Sequence, residues 1–169
     1  MRYRLTIALM LAWVGVGGAG QRFKDEIESL KGLAGVEVFI EIPNPEIGKD
    51  GLSNGQLQTD AELRLRKVGI KVLSEEENIK TPGMPILYVK VSSVKNKDGL
   101  YAYSLKVELL QSVVLSRDRS LELMAMSTWR ADQLATVGVN NMPASVRSEV
   151  GDLIDAFVND YLAANPVKR

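Results

Sequence analysis

Apolar residues return at helical spacing through the last long stretch of the chain, Asn141 to Ala164. Val146, Val150, Leu153, Ile154, Phe157, Val158, Tyr161 and Leu162 stand at i, i+4, i+7, i+8, i+11, i+12, i+15 and i+16. That stripe predicts an amphipathic helix with one broad apolar face. Such a face needs an equally broad apolar surface to lie on, and the middle of the chain predicts one.

Val36 to Ile42 alternates as a first strand, with Val36, Val38, Ile40 and Ile42 on one face. Glu37 and Glu41 lie on the other, with Phe39 between them. Pro43 to Gly51 reads as a loop. Ser53 then caps a helix to about Val68: Gln56 completes a capping box, and Leu52 and Leu57 stand at the staple positions. Leu57, Ala61, Leu65 and Val68 share its apolar face, and Leu63 points away from it. Gly69 ends the helix, and Ile70 to Leu73 reads as a short second strand, parallel to the first.

Ser74 to Pro85 is expected to be a polar loop carrying Glu75, Glu76 and Glu77. A strand follows from Ile86 to Val94, a hairpin through Asp98-Gly99, and a long return strand from Leu100 to Leu115, bent by a bulge. A last strand is expected from Leu121 to about Ala131, and a loop from Asp132 to Val139. Near the start, Phe23, Ile27 and Leu30 mark a short helix that has to lean on the rest of the domain.

Tyr101, Tyr103, Leu105, Val107 and Leu109 share one strand face, while Glu37, Glu41, Lys90, Lys106 and Glu108 fall on the opposite one. A sheet apolar on one side and charged on the other carries its helices on one side only. The expected fold is therefore an α+β two-layer sandwich. It has a mixed, mostly antiparallel sheet of about five strands, two main helices on one face and a short N-terminal helix.

The first twenty residues change this picture, because they read as a signal and not as part of the fold. Arg2 and Arg4 precede the apolar run Leu5 to Val16, and small residues surround Gly20–Gln21, the pattern of a secretory signal peptide. The apolar run is shorter than the roughly 18–20 residues a membrane-spanning helix needs. The expectation is a periplasmic or secreted domain over residues 21–169, with no stable membrane insertion after cleavage. Without Arg2 and Arg4, 19 basic residues face 21 acidic ones, a net charge of −2. That balance argues against a nucleic-acid partner.

Composition narrows the chemistry further. The 169 residues include no His and no Cys, so imidazole and thiolate chemistry are excluded, as are lipidation, disulfides and zinc–thiolate sites. Carboxylate chemistry remains open. Glu149, Asp152 and Asp155 follow one another at i, i+3 and i+6, and a divalent cation is one reading of them; a solvated helix face is the ordinary one. No catalytic residue, metal site or cofactor is assigned. Trp129, with Met124 and Met126 just before it, reads either as core filling or as the border of an exposed sheet surface that receives a partner. Phe39 and Tyr88, on the charged sheet face, raise the same alternative unless the N-terminal helix covers them. Together with Leu63 these are the candidate contact residues.

The order of elements, with "GIKVL", "PILYVKVSS" and "LYAYSLKVELLQSVVLS" followed by a long helix, resembles small periplasmic α/β domains. These are the N-terminal domain of TolB and the curli-secretion and penicillin-binding-protein-activator lipoproteins. The likeness is one of topology over about Val36 to Leu162, and the chain lacks the lipoproteins' lipidation Cys. "TWRAD" and "LIDAFVNDYLAANP" are similar to segments of uncharacterised exported bacterial proteins. The resemblance implies a domain without an active site that binds another protein in the bacterial envelope. Addition of a strand at an open sheet edge is one mode of such binding. The alternative function is binding of a small apolar ligand between sheet and helices, with Tyr101 and Tyr103 lining the pocket.

Overall fold

The computed structural model describes residues 24–166; the segment expected to be a signal peptide, Phe23 and the last three residues lie outside them. The architecture is α+β, built on one open mixed sheet of four strands in the order β1-β2-β3-β4. β1 is Glu37–Glu41, β2 Ile86–Lys95, β3 Leu100–Leu115 and β4 Asp118–Gly138. β1 runs parallel to β2, and the other two pairings are antiparallel. The helices are α1 (Lys24–Glu28), α2 (Glu46–Lys49), α3 (Asn54–Lys67), α4 (Glu75–Ile79) and α5 (Met142–Ala164), with one 3₁₀ turn at Val139–Asn141.

The core follows the alternation in the sequence. Val38 and Ile40 of β1, Leu87, Val89 and Val91 of β2, and Tyr101, Tyr103, Leu105, Val107 and Leu109 of β3 are all buried. α5 covers this surface with Val146, Val150, Leu153, Ile154, Phe157 and Val158, and α3 adds Leu57, Ala61 and Leu65. Two polar ties fix α5 on the sheet. The Tyr103 hydroxyl donates to Glu149 at 2.7 Å, and Trp129 Nε1 donates to Asp160 at 2.9 Å. Trp129 also meets Phe157 edge to face, with ring centroids 5.2 Å apart, a favoured aromatic geometry.

Helix starts follow their local chemistry. At Ser53 both arms of the capping box form: its hydroxyl accepts from the Gln56 N–H, and the Gln56 side chain accepts from the Ser53 N–H. Ser74 and Glu77 repeat the motif at α4. The acidic run expected in a loop is thus the first turn of a short helix, where carboxylates favour the positive end of the helix dipole.

Three expectations about the strands are corrected. Ile70–Leu73 is not a strand, since its only ladder contact is a parallel bridge between Val36 and Val72. The chain there comes so close to β1 that a Cβ on Gly35 would lie 2.6 Å from the Lys71 carbonyl oxygen. The sheet accordingly has four strands and not about five. Asp132 to Val139 is not a loop, because β4 continues to Gly138 in unbroken register with β3; the sequence Asp132-Gln133-Leu134-Ala135-Thr136-Val137 is polar enough to resemble a connection only because it lies at an edge. In the Pro43–Gly51 loop, α2 buries Ile47.

α1 also sits elsewhere than expected. It packs on α5 and β4, with Leu30 buried, and leaves Phe39 uncovered. The Asn165 side chain fixes the end of the α1 segment by accepting from Gly32 N–H and donating to the Leu30 carbonyl.

Trp129 is central to this packing, so Trp129→Ala is expected to lower unfolding free energy by about 3–5 kcal/mol. Urea denaturation followed by far-UV circular dichroism measures this. A change within about 0.5 kcal/mol would place the residue among surface positions.

Candidate functional site

The candidate contact residues separate into a core residue and three exposed groups. Trp129 is 0% exposed and belongs to the core, which removes it from any contact surface. The reason is the bulge between Leu109 and Leu110 of β3: Trp129 pairs with Leu109 and Ser127 with Leu110, leaving Thr128 as the extra residue. Trp129 is thereby aimed under α5.

Met124 and Met126, 64% and 42% exposed, lie beyond that bulge on a part of the hairpin that outruns the sheet. β2 begins at Ile86, opposite Leu110, and the loop before it reaches one step further, where Gly83 accepts the Ser112 N–H. Past this point, among the described residues, no third strand pairs with β3 or β4. Val114 and Leu121 are exposed here as well. The ribbon is irregular, with register shifts between Gln111 and Val113 and between Val114 and Leu115, and with Ala125 at φ 55°. A left-handed φ at a residue bearing a Cβ marks local strain.

Phe39 and Tyr88 meet on the sheet face that bears no buried positions. Their rings stack with centroids 6.1 Å apart and 19° between planes, and Phe39 is 52% exposed. The Tyr88 hydroxyl donates to Glu41, and Lys90 Nζ lies 3.1 Å from the same carboxylate. The two donors hold the Glu41 carboxyl below its ordinary value of 4.5, Tyr88 having the larger effect. Further along the face, Lys106 stands opposite Asp132 and Glu108 opposite Arg130. The surface is charged but balanced, with Tyr88 and Phe39 at one side of it.

Leu63, 50% exposed, rims a surface groove between α3 and α5 that Arg64, Lys67, Val68, Arg147 and Asp155 also line. Arg64 bridges to Asp155, and Arg147 makes a bidentate pair with Asp60 at 2.8 and 3.1 Å. A Cβ on Gly151 would run into the Arg64 guanidinium, so the glycine makes room for the crossing side chain. Both arginines of the groove are engaged by carboxylates of the chain itself.

The acidic residues of α5 do not converge. Glu149 accepts from Tyr103, Asp155 pairs with Arg64 and Asp160 accepts from Trp129. Among the described residues no group of three or more acidic side chains could hold a metal ion. Tyr101 and Tyr103, the expected pocket lining, are core side chains with engaged hydroxyls. Burial, and next the hydrogen bond that its hydroxyl donates to the Asp50 carboxylate, push Tyr101 up to about 12. Burial, and next Glu149, push Tyr103 up as well. Both phenols therefore remain protonated hydrogen-bond donors near neutral pH.

No protein-family model matches the chain, and the search of curated proteins returns no match. Among the described residues no helix is long and apolar enough to cross a membrane.

The Glu41 cluster gives stability a pH dependence. Its folded pKa is lowered, so the contribution is present above the unfolded value of 4.5 and is lost as pH falls through the folded value. Glu41→Gln is expected to lower the urea midpoint by a constant amount from pH 6 to 8, and the difference is expected to shrink below about pH 4.5. A difference that grows on acidification would contradict the assignment.

Proposed function

We propose that the chain is a non-enzymatic domain, exported to the periplasm or secreted, that binds another protein of the bacterial envelope through the distal β3–β4 ribbon. One observation carries the reading: the ribbon beyond Ser112 exposes Val114, Leu121 and Met124, with Met126 opposite Gln111 at its base, and among the described residues it pairs with no third strand. A lone two-stranded ribbon is marginally stable in water, and apolar groups on it gain most when a partner removes them from solvent. Methionine suits such a surface, because its unbranched side chain adapts to the shape it meets.

Export rests on the basic, apolar and small-residue order of Met1 to Gly20. In this reading α3 and α5 form a single layer over the apolar sheet face, which leaves the ribbon, the sheet edges and the charged face for contact. The likeness to envelope domains in element order agrees with it. Absence of enzymatic activity is consistent with tyrosines and carboxylates that are tied into the fold, and the protein needs no cofactor for binding.

A photo-reactive phenylalanine analogue placed at Met124 or Met126, in cells expressing the full-length chain, is expected to give a defined heavier adduct in the envelope fraction. The same probe at Lys97, exposed at the opposite end of the hairpin, is expected to give none. No adduct at the methionines, or equal labelling at Lys97, would overturn the contact surface. Finding the chain only in the cytosolic fraction would overturn export.

A further inference from the structure

The two outer strands of the sheet are finished differently. At β1 the edge is occupied by the chain itself: Val36 N–H donates to the Lys71 carbonyl, Leu73 N–H donates to the Val36 carbonyl, and the Gln58 side chain donates to the Val38 carbonyl at 3.0 Å. Natural sheets block their edges in such ways because unpaired backbone groups recruit other strands. β4 is blocked at one point, where the Ser29 hydroxyl donates to the Thr128 carbonyl at 3.2 Å. Between Arg130 and Gly138 no such block stands among the described residues.

Ladder geometry tells which groups are open there. Val139 N–H donates to the Gly99 carbonyl, and the register runs unbroken from Leu100–Gly138 to Leu109–Trp129. In an antiparallel ladder alternate residues bond to the neighbouring strand. Val137, Ala135, Gln133 and Ala131 therefore bond to β3, while Arg130, Asp132, Leu134 and Thr136 turn their N–H and C=O groups outward. The Thr128 carbonyl taken by Ser29 is on the same outward side. In the middle of this free stretch stands Leu134, 80% exposed, on an edge where a charged residue would be the usual protection.

We propose that this edge pairs with a second copy of the same chain, antiparallel, with the two-fold axis passing through Leu134 and the two sheets joining into one of eight strands. The side chains select the register. Centring on Arg130 or Asp132 sets like charges directly opposite each other, which is destabilising. Centring on Ala131 pairs Arg130 with Asp132 but drives Leu134 of the second copy into the Ser29–Thr128 contact. Centring on Gln133 sets the Asp132 carboxylate against Leu134. Centring on Leu134 sets leucine against leucine and Asp132 opposite the Thr136 hydroxyl, with Arg130 opposite Gly138. It also clears α1 and uses the free stretch from one end to the other. The interface is isologous, as a two-fold contact requires, and it is separate from the distal ribbon.

The absence of cysteine makes the register directly readable. Leu134 and its copy would form a hydrogen-bonded pair with Cα atoms about 5.5 Å apart, inside the roughly 4.4–6.8 Å range of a disulfide. In the full-length chain purified from expressing cells, Leu134→Cys is expected to form a disulfide-linked dimer under mild oxidation, and Asp132→Cys is expected to form little. Asp132→Cys with Thr136→Cys in the same chain is expected to restore the link. Sedimentation equilibrium of the cysteine-free protein is expected to give twice the chain mass, and Leu134→Lys about half that value with unchanged circular dichroism. A monomeric wild type, a dimer indifferent to Leu134→Lys, or equal cross-linking at positions 132 and 134 would overturn the proposal. Met124→Asp leaves this dimer intact, so loss of the ribbon contact and loss of the dimer are distinguishable.

Discussion

The packing of α5 on one face of the sheet is the constraint from which the rest of the structure follows. A 23-residue helix with eight buried residues can be satisfied only by a continuous apolar surface, and β1, β2 and β3 supply it through strict alternation. The polar ties are few and placed where the helix would otherwise leave buried groups unpaired: Tyr103 to Glu149 near its first half, Trp129 to Asp160 near its end. The Tyr103 hydroxyl and the Trp129 indole N–H thus each meet a carboxylate, which avoids the cost of an unsatisfied donor. α3 extends the same cover over β1, and Arg64–Asp155 and Arg147–Asp60 cross from one helix to the other at the surface.

That arrangement determines what is left over. Because apolar side chains alternate, burying one face of each strand commits the other to solvent, and this is where Phe39, Tyr88, Glu41, Lys90, Lys106 and Glu108 stand. Because β2 begins at Ile86, no third strand among the described residues follows the hairpin to its tip. Several of the chemistry-bearing groups, by contrast, are tied into the fold. The carboxylates nearest the core each hold a donor, and the phenols are raised by burial.

Much of this was legible in the sequence, and the failures have physical causes. The α3 start, both long helices and the inward residues of β1, β2 and β3 follow from capping chemistry and from periods of 3.6 and 2, which act locally. The overhanging ribbon was not drawn from the sequence, although a return strand of sixteen residues joined by a tight hairpin to one of nine must outrun it at its far end. Trp129 could not be placed, because the bulge at Thr128 sets its facing and a bulge is a property of two strands together. The extension of β4 through Leu134 was missed because edge positions need not alternate. α4 was missed although Ser74 and Glu77 carry the same capping signature as Ser53 and Gln56; its five residues are too few to show a period.

The central claim is that, among the described residues, the sheet's support of the hairpin stops at the Gly83–Ser112 contact, and that the ribbon beyond it stands without a third strand. Native-state amide hydrogen exchange of the purified protein measures this most directly, because protection tracks the free energy of local opening. Amides of Leu87 to Val91 and Leu105 to Leu109 are expected to exchange only through global unfolding, and those of Val113 to Met124 at least a hundredfold faster. Ribbon amides as slow as those of the sheet centre would contradict the account, since the hairpin would then be stabilised within its own chain and have no need of a partner.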